Sequence, residues 1–338
     1  MKSTIEHIQL RLKHPFTISR GSSEIKHCII VQLEHEGISG YGEAAPSGRY
    51  DETEQTVHDF LRKVNPAQFP DPFQVEDMLN YVQNISTGNA AAKAAIDIAL
   101  HDWIGKKLGI PLWKLFGLNK EKTPLTSFTI GIDSLDIIEQ KVKEAEPFPV
   151  LKVKVGIPGD EDIVKMIRTM TGKIIRVDAN EGWKSKEIAL DKILRFEEQG
   201  VELVEQPLPS GQLEETVWLR ERVHVPLIAD ESLSRSADVY RVRDAFDGIN
   251  IKLMKCGGIR EAQRMINTAR ALGLKIMLGC MIESSVGISA AAQLSPLVDY
   301  ADLDGNLLIS NDPFDGVKIT NGRPVLNDSP GIGIERKD

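Results

Sequence analysis

The chain has 338 residues, which is enough for one large domain or two of ordinary size. Its 41% hydrophobic and 27% charged residues are typical of a globular protein and disfavour both disorder and coiled coil. The formal net charge of −8 gives no hint of the basic face that a nucleic-acid-binding protein needs.

The first 115 residues have the pattern of an α+β unit. Two apolar runs predict strands and are followed by a His35-Glu36-Gly37 turn, and three later stretches predict helices. Gly109 is placed to end the third helix. The predicted strands are Ile5–Leu12 and Ile25–Glu36, and the predicted helices are Glu52–Val64, Asp71–Gln83 and Ala90–Leu108. Strands followed by helices favour an α+β unit.

From residue 124 to about residue 310, short apolar runs alternate with helical segments. Eight strands with intervening helices predict an α/β fold, a (β/α)₈ TIM-type barrel. An open doubly wound sheet is the rival, but no GxGxxG motif follows any of the runs. The runs are Leu125–Ile132, Val150–Val155, Ile174–Val177, Leu203–Glu205, Leu227–Ala229, Ile249–Leu253, Lys275–Leu278 and Tyr300–Leu303. We expect the Gly/Pro-rich segment 311–338 to return to the first unit.

Three acidic residues stand where successive apolar runs end. Asp178, Glu205 and Asp230 are 27 and 25 residues apart, about one βα unit each, so their carboxylates should meet at the carboxyl-terminal rim of the barrel. Neighbouring carboxylates repel each other, and Mg²⁺ is a hard cation that accepts oxygen ligands. Any one of these acids alone would be read as a helix cap. The three together predict a Mg²⁺ site rather than a zinc site, because the seven histidines are scattered.

Two runs place lysines on one face of a barrel strand. Lys152 and Lys154 alternate with valines, and Lys252 lies on a strand that reaches the rim from nearly the opposite side. A lysine near a metal and partly removed from water has a lowered pKa and serves as a base. A lone K-x-K is more often a solvated edge strand, but the three carboxylates favour the catalytic interpretation. Lys255 is the competitor to Lys252 and has the wrong parity.

The motifs occur in the order found in a known group of enzymes. The chain resembles the enolase superfamily, its muconate-lactonising subgroup and, within that, the dipeptide epimerases. The resemblance implies an amino-terminal capping domain over 1–115, a catalytic barrel over 124–310, and a segment 311–338 that completes the cap. The motifs are Gly40-Tyr-Gly-Glu-Ala44, Leu151-Lys-Val-Lys-Val-Gly156, Val177-Asp-Ala-Asn-Glu-Gly-Trp183, Val204-Glu-Gln-Pro207, Ala229-Asp-Glu-Ser232 and Ile249-Asn-Ile-Lys-Leu-Met-Lys-Cys-Gly-Gly258.

The same resemblance assigns roles to the rim residues. It implies that Asp178, Glu205 and Asp230 hold Mg²⁺. Lys154 and Lys252 would be the paired acid and base, and Lys152 would support the substrate carboxylate and lower the pKa of Lys154. The metal would stabilise an enediolate while one lysine removes the α-proton and the other returns one to the opposite face. The activity implied is that of an isomerase that inverts the carbon next to a carboxylate.

Three further matches point to the substrate. Asp302 and Asp304, which we expect to share a strand face, look like the D-x-D motif with which dipeptide epimerases bind a free α-ammonium group. Arg20, in Pro15-Phe-Thr-Ile-Ser-Arg20-Gly-Ser, resembles the capping-loop arginine that meets the glutamate carboxylate in L-Ala-D/L-Glu epimerases, and Thr129 matches a substrate-contacting threonine. Without the resemblance, the aspartates would be read as a polar loop and Arg20 as a surface residue. The implied setting is the handling of cell-wall peptide fragments.

Rival functions remain open on the sequence. The same barrel residues support a cycloisomerase, an o-succinylbenzoate synthase or an N-acylamino-acid racemase, whose substrates carry no free ammonium. A catalytically silent metal- or peptide-binding protein is the alternative of another class, although it has no need for so many buried charges. The oligomeric state is also open, a homo-oligomer included.

Absences narrow the setting of the protein. No run approaches the roughly 18 apolar residues of a membrane-spanning helix, and the first residues lack the pattern of a signal peptide. Cys28, Cys256 and Cys280 are too few and too widely spaced for a disulfide framework. We therefore expect a cytoplasmic protein whose partner is a small molecule, with no nucleic acid and no membrane bound.

Overall fold

The amino-terminal part is a three-stranded antiparallel sheet with helices on one side. The computed structural model describes residues 1–338, and its sheet has the order β1-β2-β3, from β1 (Lys2–Ile18), β2 (Gly21–His35) and β3 (Ile38–Ala44). Both predicted strands are confirmed and are longer than expected. Glu36 and Gly37 join β2 to β3 with positive φ values of 50° and 72°, the conformation that a tight hairpin turn requires.

The helices of this part pack on the sheet. They are α1 (Glu54–Leu61), α2 (Val75–Ile85), α3 (Ala90–Leu108) and α4 (Leu112–Leu115), with 3₁₀ turns at Gly48–Tyr50, Pro66–Gln68 and Lys120–Lys122. The bounds of α3 are those predicted, and it is buried along nearly its whole length. Gly40 and Gly42 let β3 approach α3 closely, because a Cβ on either glycine would collide with the α3 backbone. Gly109 ends α3 in the left-handed conformation.

Eight parallel strands form the barrel in sequence order. They are β4 (Phe128–Ile130), β5 (Val150–Lys154), β6 (Ile174–Asp178), β7 (Val201–Glu205), β8 (Leu227–Ala229), β9 (Gly248–Lys252), β10 (Lys275–Gly279) and β11 (Tyr300–Asp302). Just before β4, Thr126 bridges Ala301 of β11 in parallel, and Ser127 N–H donates to the Ala301 carbonyl at 3.2 Å, which closes the sheet. The predicted barrel is thus confirmed, and the open doubly wound sheet is excluded.

Helices surround the barrel between its strands. They are α5 (Leu135–Glu144), α6 (Asp160–Met170), α7 (Lys186–Glu198), α8 (Leu213–Arg220), α9 (Ser236–Val242), α10 (Leu253–Cys256), α11 (Ile259–Ala271) and α12 (Ser285–Ala292), with 3₁₀ turns at Ser295–Leu297 and Gly305–Leu307. Apolar side chains of the cap and the barrel belong to one continuous core. None of the helices has the length and apolar character needed to cross a membrane.

The carboxyl-terminal segment contacts the amino-terminal part. It contains β12 (Phe314–Asp315), β13 (Lys318–Thr320), β14 (Arg323–Val325) and β15 (Glu335–Arg336), of which β12 pairs with β15. Arg336 makes two hydrogen bonds to Glu6 of β1, and the Phe314 ring lies 5.5 Å from that of Tyr41. These contacts support our proposal that this segment completes the capping domain.

Candidate active site

The three acids lie side by side at the ends of adjacent strands. Asp178 is the last residue of β6, Glu205 is the last residue of β7, and Asp230 follows β8 directly. Asp178 pairs in register with Glu205, and none of the three is more than 1% exposed. The carboxyl ends of parallel strands meet at one rim, and the register therefore brings these acids together as the sequence spacing predicts.

Lysines approach the acids from opposite sides. Lys154 ends β5, and its Nζ lies 2.6 Å from Oδ2 of Asp178. Lys252 ends β9, and its Nζ lies 2.8 Å from Oδ2 of Asp230. Because β5 and β9 are the second and sixth of eight strands in a closed barrel, the two amines reach the barrel mouth from opposite walls.

Lys152 lies deeper and joins several carboxylates. Its Nζ is 2.7 Å from Glu205 Oε2, 2.7 Å from Asp302 Oδ2 and 3.2 Å from Asp178 Oδ2. Burial disfavours its charged form, but these carboxylates outweigh burial and raise its pKa well above the ordinary value. Lys152 therefore remains an ammonium group.

Lys255, the competitor to Lys252 in the sequence, lies in a different place from Lys252. Its Nζ lies 2.5 Å from Asp230 Oδ1 and donates to the backbone carbonyls of Asp230 at 2.7 Å and Asn250 at 3.1 Å. The residue is 2% exposed and does not line the cavity at the barrel mouth, whereas Lys252 does. Sequence parity correctly kept Lys255 out of the cavity but missed its contact with Asp230.

The expected lowering of a lysine pKa is not what the chain's own charges produce. Burial opposes the charged form of Lys252, but Asp230 and Glu205 outweigh it and raise its pKa well above the ordinary value. A divalent cation among the same carboxylates acts in the opposite direction, because its charge competes for them. The pKa of Lys252 is therefore raised by the chain's own carboxylates, and the lowering expected from the sequence depends on the charge of a bound cation.

The acids have the chemistry of a magnesium site. Burial, and then the negative charge of Asp178, raise the pKa of Glu205 to about 7. Its Oε2 is buried and is paired with the Lys152 ammonium at 2.7 Å. No three His, Cys, Asp or Glu side chains are arranged here to hold a metal ion, and the Lys152 ammonium lies between Asp178 and Glu205. The oxygen-only donor set fits Mg²⁺ rather than zinc.

A second pair of acids lies at the end of the eighth strand. Asp302 ends β11 and accepts a hydrogen bond of 2.5 Å from Ser127 Oγ. Asp304 lies beyond the strand at the start of a 3₁₀ turn, so the expectation that both share a strand face is wrong, and it accepts the Thr129 backbone N–H at 2.6 Å. Burial and then the charge of Asp302 raise the pKa of Asp304 to about 6. Ser127 was missed, although its period-2 spacing from Thr129 could have revealed it.

Arg20 lies on the turn between β1 and β2, which reaches over the barrel rim. Its Nη2 lies 2.8 Å from Oε1 of Glu231, and its Nη1 donates to the Asn180 carbonyl at 2.7 Å. Arg20 was expected at the substrate, but neither of these partners was predicted, even though Glu231 directly follows Asp230. Contacts between distant segments leave no periodic pattern in a sequence.

One cavity brings the cap and the rim together. It measures about 320 Å³, a volume suited to a small ligand. The predicted residues that line it are Arg20, Thr129, Lys152, Lys154, Asp230, Lys252, Asp302 and Asp304. Asp178 and Glu205 do not line it and are completely buried. Both proposed acid/base lysines and both proposed ammonium-binding aspartates therefore face the same space.

Comparison with known families agrees with this architecture. Residues 136–338 match the enolase C-terminal domain-like family, and residues 2–117 match the mandelate racemase / muconate lactonizing enzyme N-terminal domain. The chain belongs to the enolase superfamily. This confirms the resemblance seen in the motifs. The first matched segment covers the amino-terminal part of this enolase-superfamily chain, and the second covers the barrel from α5 onward together with residues 311–338.

Individual relatives are similar over the full length. The chain is 52% identical to the L-Ala-D/L-Glu epimerase of Bacteroides thetaiotaomicron over 335 residues, covering 99% of this chain and 88% of that protein. It superposes on the dipeptide epimerase of Enterococcus faecalis V583, complexed with Mg and L-Leu-L-Tyr, with a TM-score of 0.93, 34% identity and 98% coverage of both chains. The N-succinyl Arg/Lys racemase of Bacillus cereus also gives a TM-score of 0.93, with 30% identity and coverage of 100% of this chain and 96% of that one. The overall fold therefore does not separate these two activities.

Proposed function

We propose that this enolase-superfamily chain is a Mg²⁺-dependent dipeptide epimerase, an isomerase that inverts the α-carbon of the carboxyl-terminal residue of substrates such as L-Ala-L-Glu and L-Ala-D-Glu. The observation that carries the proposal is the opposition of Lys154 and Lys252 across one cavity, each beside its own aspartate. The 52% identical relative is named L-Ala-D/L-Glu epimerase, which supports the same activity.

The substrate is held at both ends by charge. Asp178, Glu205 and Asp230 would hold Mg²⁺, whose positive charge would offset that of the substrate carboxylate and make the α-proton more acidic. The Lys152 ammonium lies between the two ends, 2.7 Å from both Glu205 Oε2 and Asp302 Oδ2, and would add positive charge beside the substrate carboxylate. At the other end, Asp302 and Asp304 would accept the α-ammonium group, since a carboxylate whose pKa is raised by a like charge gains most from a cationic partner.

Inversion follows from the placement of the two amines. One lysine, as a neutral amine, removes the α-proton from its face of the substrate, and the other, as an ammonium, delivers a proton to the opposite face. In the reverse direction Lys154 and Lys252 exchange roles. The negative charge that develops at the substrate is met by groups already fixed by strand register, so little reorganisation is needed.

The substrate ammonium distinguishes this proposal from its closest rival. An N-succinyl amino-acid racemase, like the structural neighbour from Bacillus cereus, acts on a substrate whose nitrogen is acylated. Asp302 and Asp304 are buried acids at 4% and 3% exposure. Lys152 pairs with Asp302, but an acylated nitrogen would leave Asp304 without a cation. Their presence in the cavity favours a free dipeptide.

The direct test is incubation with Mg²⁺ in D₂O. We expect deuterium at the α-carbon of the carboxyl-terminal residue and conversion of L-Ala-L-Glu to L-Ala-D-Glu, followed by mass spectrometry and chiral chromatography. N-acetyl-L-Ala-L-Glu is the matched control and should react much more slowly. Absence of exchange with a library of dipeptides, alongside exchange with an N-succinyl amino acid, would establish the rival activity instead.

A further inference from the structure

The guanidinium of Arg20 is already bound by the protein itself. Its Nη2 lies 2.8 Å from Oε1 of Glu231, a side chain that is 1% exposed. Its Nη1 lies 2.7 Å from the Asn180 carbonyl and 3.4 Å from Oε2 of Glu181, and Ser19 Oγ donates to the same carbonyl at 3.1 Å. The tip of the β1–β2 hairpin is therefore fastened to the barrel rim through Arg20.

The surrounding charges cancel. Arg49 makes two hydrogen bonds to Glu181, of 2.7 Å and 2.9 Å, and the Ser210 N–H donates to the same carboxylate at 2.8 Å. The cluster thus contains two arginines, Arg20 and Arg49, and two carboxylates, Glu181 and Glu231. Glu181 is bound chiefly by Arg49, which makes Glu231 the principal counter-ion of Arg20.

The balance of charge in this cluster affects which substrate side chains can lie beside Arg20. A glutamate side chain placed at Arg20 adds a third carboxylate to a cluster with no net charge, and Glu231 repels it at close range. Glu231 also has one buried oxygen, Oε2, with no hydrogen-bond partner, so its charge is only partly satisfied by Arg20. A neutral side chain meets no such repulsion, and it leaves the Arg20–Glu231 pair intact.

We propose that Glu231 sets the substrate range of the site by acting as an internal counter-carboxylate for Arg20. This inference rests on the proposed dipeptide epimerase function and deepens it. The substrate class is then dipeptides with a neutral carboxyl-terminal residue as well as glutamate, rather than glutamate alone. Glu231 is a specificity-determining residue that acts through Arg20 and does not touch the reacting carbon.

The test compares two substrates of nearly equal shape. L-Ala-L-Glu and L-Ala-L-Gln differ at the side-chain terminus by one charge, and the measured quantity is the ratio of their kcat/KM values in the Mg²⁺-loaded enzyme. We expect Glu231→Gln to raise the ratio of glutamate to glutamine dipeptide about tenfold, because the cluster becomes net positive and Arg20 loses its competitor. A ratio is used because any general effect of a change beside Asp230 cancels from it.

Glu181→Gln is the matched variant. It removes one negative charge from the same cluster, but from a carboxylate that Arg49 and Ser210 hold, so the ratio should rise less than threefold. If Glu231→Gln turns over neither dipeptide, calorimetric dissociation constants for the two dipeptides supply the same ratio with the same expectation.

Three results overturn the inference. An unchanged ratio means that Glu231 does not compete for Arg20. A lowered ratio means that Glu231 instead orients Arg20 towards the substrate carboxylate. An equal rise in Glu181→Gln and Glu231→Gln means that net charge rather than the pairing of Arg20 governs the preference. If the wild-type protein epimerises neither of these two dipeptides nor any other dipeptide, the proposed function itself is wrong, and the inference fails with it.

Discussion

The barrel rim and the capping hairpin hold their charged groups in different ways. At the rim, Lys154, Asp178 and Glu205 end consecutive strands and are at most 7% exposed, and their spacing is fixed by the register of the sheet. On the hairpin, Arg20 is about one-third exposed and lies on a turn whose place depends on contacts with another part of the chain. We infer that the rim is built for chemistry that tolerates little displacement, whereas the hairpin is where the substrate range can change.

The largest expected effects fall on the rim lysines. Lys154→Ala and Lys252→Ala should each lower the epimerisation rate by about 10³-fold or more, because each removes one of two proton-transfer groups. Each variant should still exchange the α-proton of one epimer with D₂O, and the two variants should differ in which epimer that is. Proton NMR in D₂O, with each epimer supplied separately, measures both quantities.

Lys141→Ala is the control for removing a buried lysine. Lys141 lies on α5, outside the cavity at the barrel mouth. It is 5% exposed, and its Nζ pairs with Asp133 Oδ2 at 3.1 Å. Its loss should leave epimerisation within about twofold, while circular dichroism shows all three variants folded. Near-full epimerisation by either rim variant would contradict the two-base mechanism.

The next effect concerns the acid beyond β11. Asp304→Asn should lower kcat/KM for L-Ala-L-Glu by about 10- to 100-fold, mainly through KM, because a charge-assisted contact to the substrate ammonium is lost. Asp304 suits this test better than Asp302, which also pairs with Lys152. Steady-state kinetics with the free dipeptide and its N-acetyl form provide the measurement. An equal loss with both substrates would show that Asp304 does not bind the ammonium.

The rim was predictable from the sequence to a degree that the cap was not. Strand periodicity and the βα spacing located Asp178, Glu205, Asp230, Lys154 and Lys252, since a residue that ends a barrel strand has only one rim to reach. The resemblance to a family added Arg20, Asp302 and Asp304 as candidates. Each of these candidates lies at or beneath one cavity in the structure.

What the sequence could not supply are contacts between segments far apart in the chain. Arg20 meets Glu231 across 211 positions, and Ser127 meets Asp302 across 175. No local spacing identifies the partner in either pair, although the period-2 spacing of Ser127 from Thr129 could have marked Ser127 itself as a candidate. The direction of the Lys252 pKa shift was also out of reach, because it depends on how burial and two carboxylates sum at one atom.

A smaller effect separates Lys255 from Lys252. Lys255→Met should lower kcat/KM about tenfold, because Asp230 loses the ammonium that fixes one of its oxygens and supporting contacts of this kind are typically worth 10- to 100-fold. Both epimers should still exchange their α-protons. Loss of exchange from one epimer alone, with Lys252→Ala retaining it, would make Lys255 the base and reverse the assignment.

The smallest expected effect lies where the cap meets the barrel. Glu283 lies in the loop after β10, and Glu43 is the penultimate residue of β3. Both side chains are buried. Burial, and then the charge of Glu43, raise the pKa of Glu283 to about 8 from an ordinary value of 4.5. Between those two pH values the folded chain binds a proton that the unfolded chain does not, so stability falls as pH rises through this window.

We expect the wild-type Tm to drop by several degrees from pH 5 to pH 8 and the drop to be smaller in Glu283→Gln, which stays neutral throughout. Glu214→Gln, at an exposed position on α8, should keep the wild-type slope. Calorimetry at fixed ionic strength decides the matter, and identical slopes for wild type and Glu283→Gln would mean that the proton at the cap–barrel junction belongs to another group.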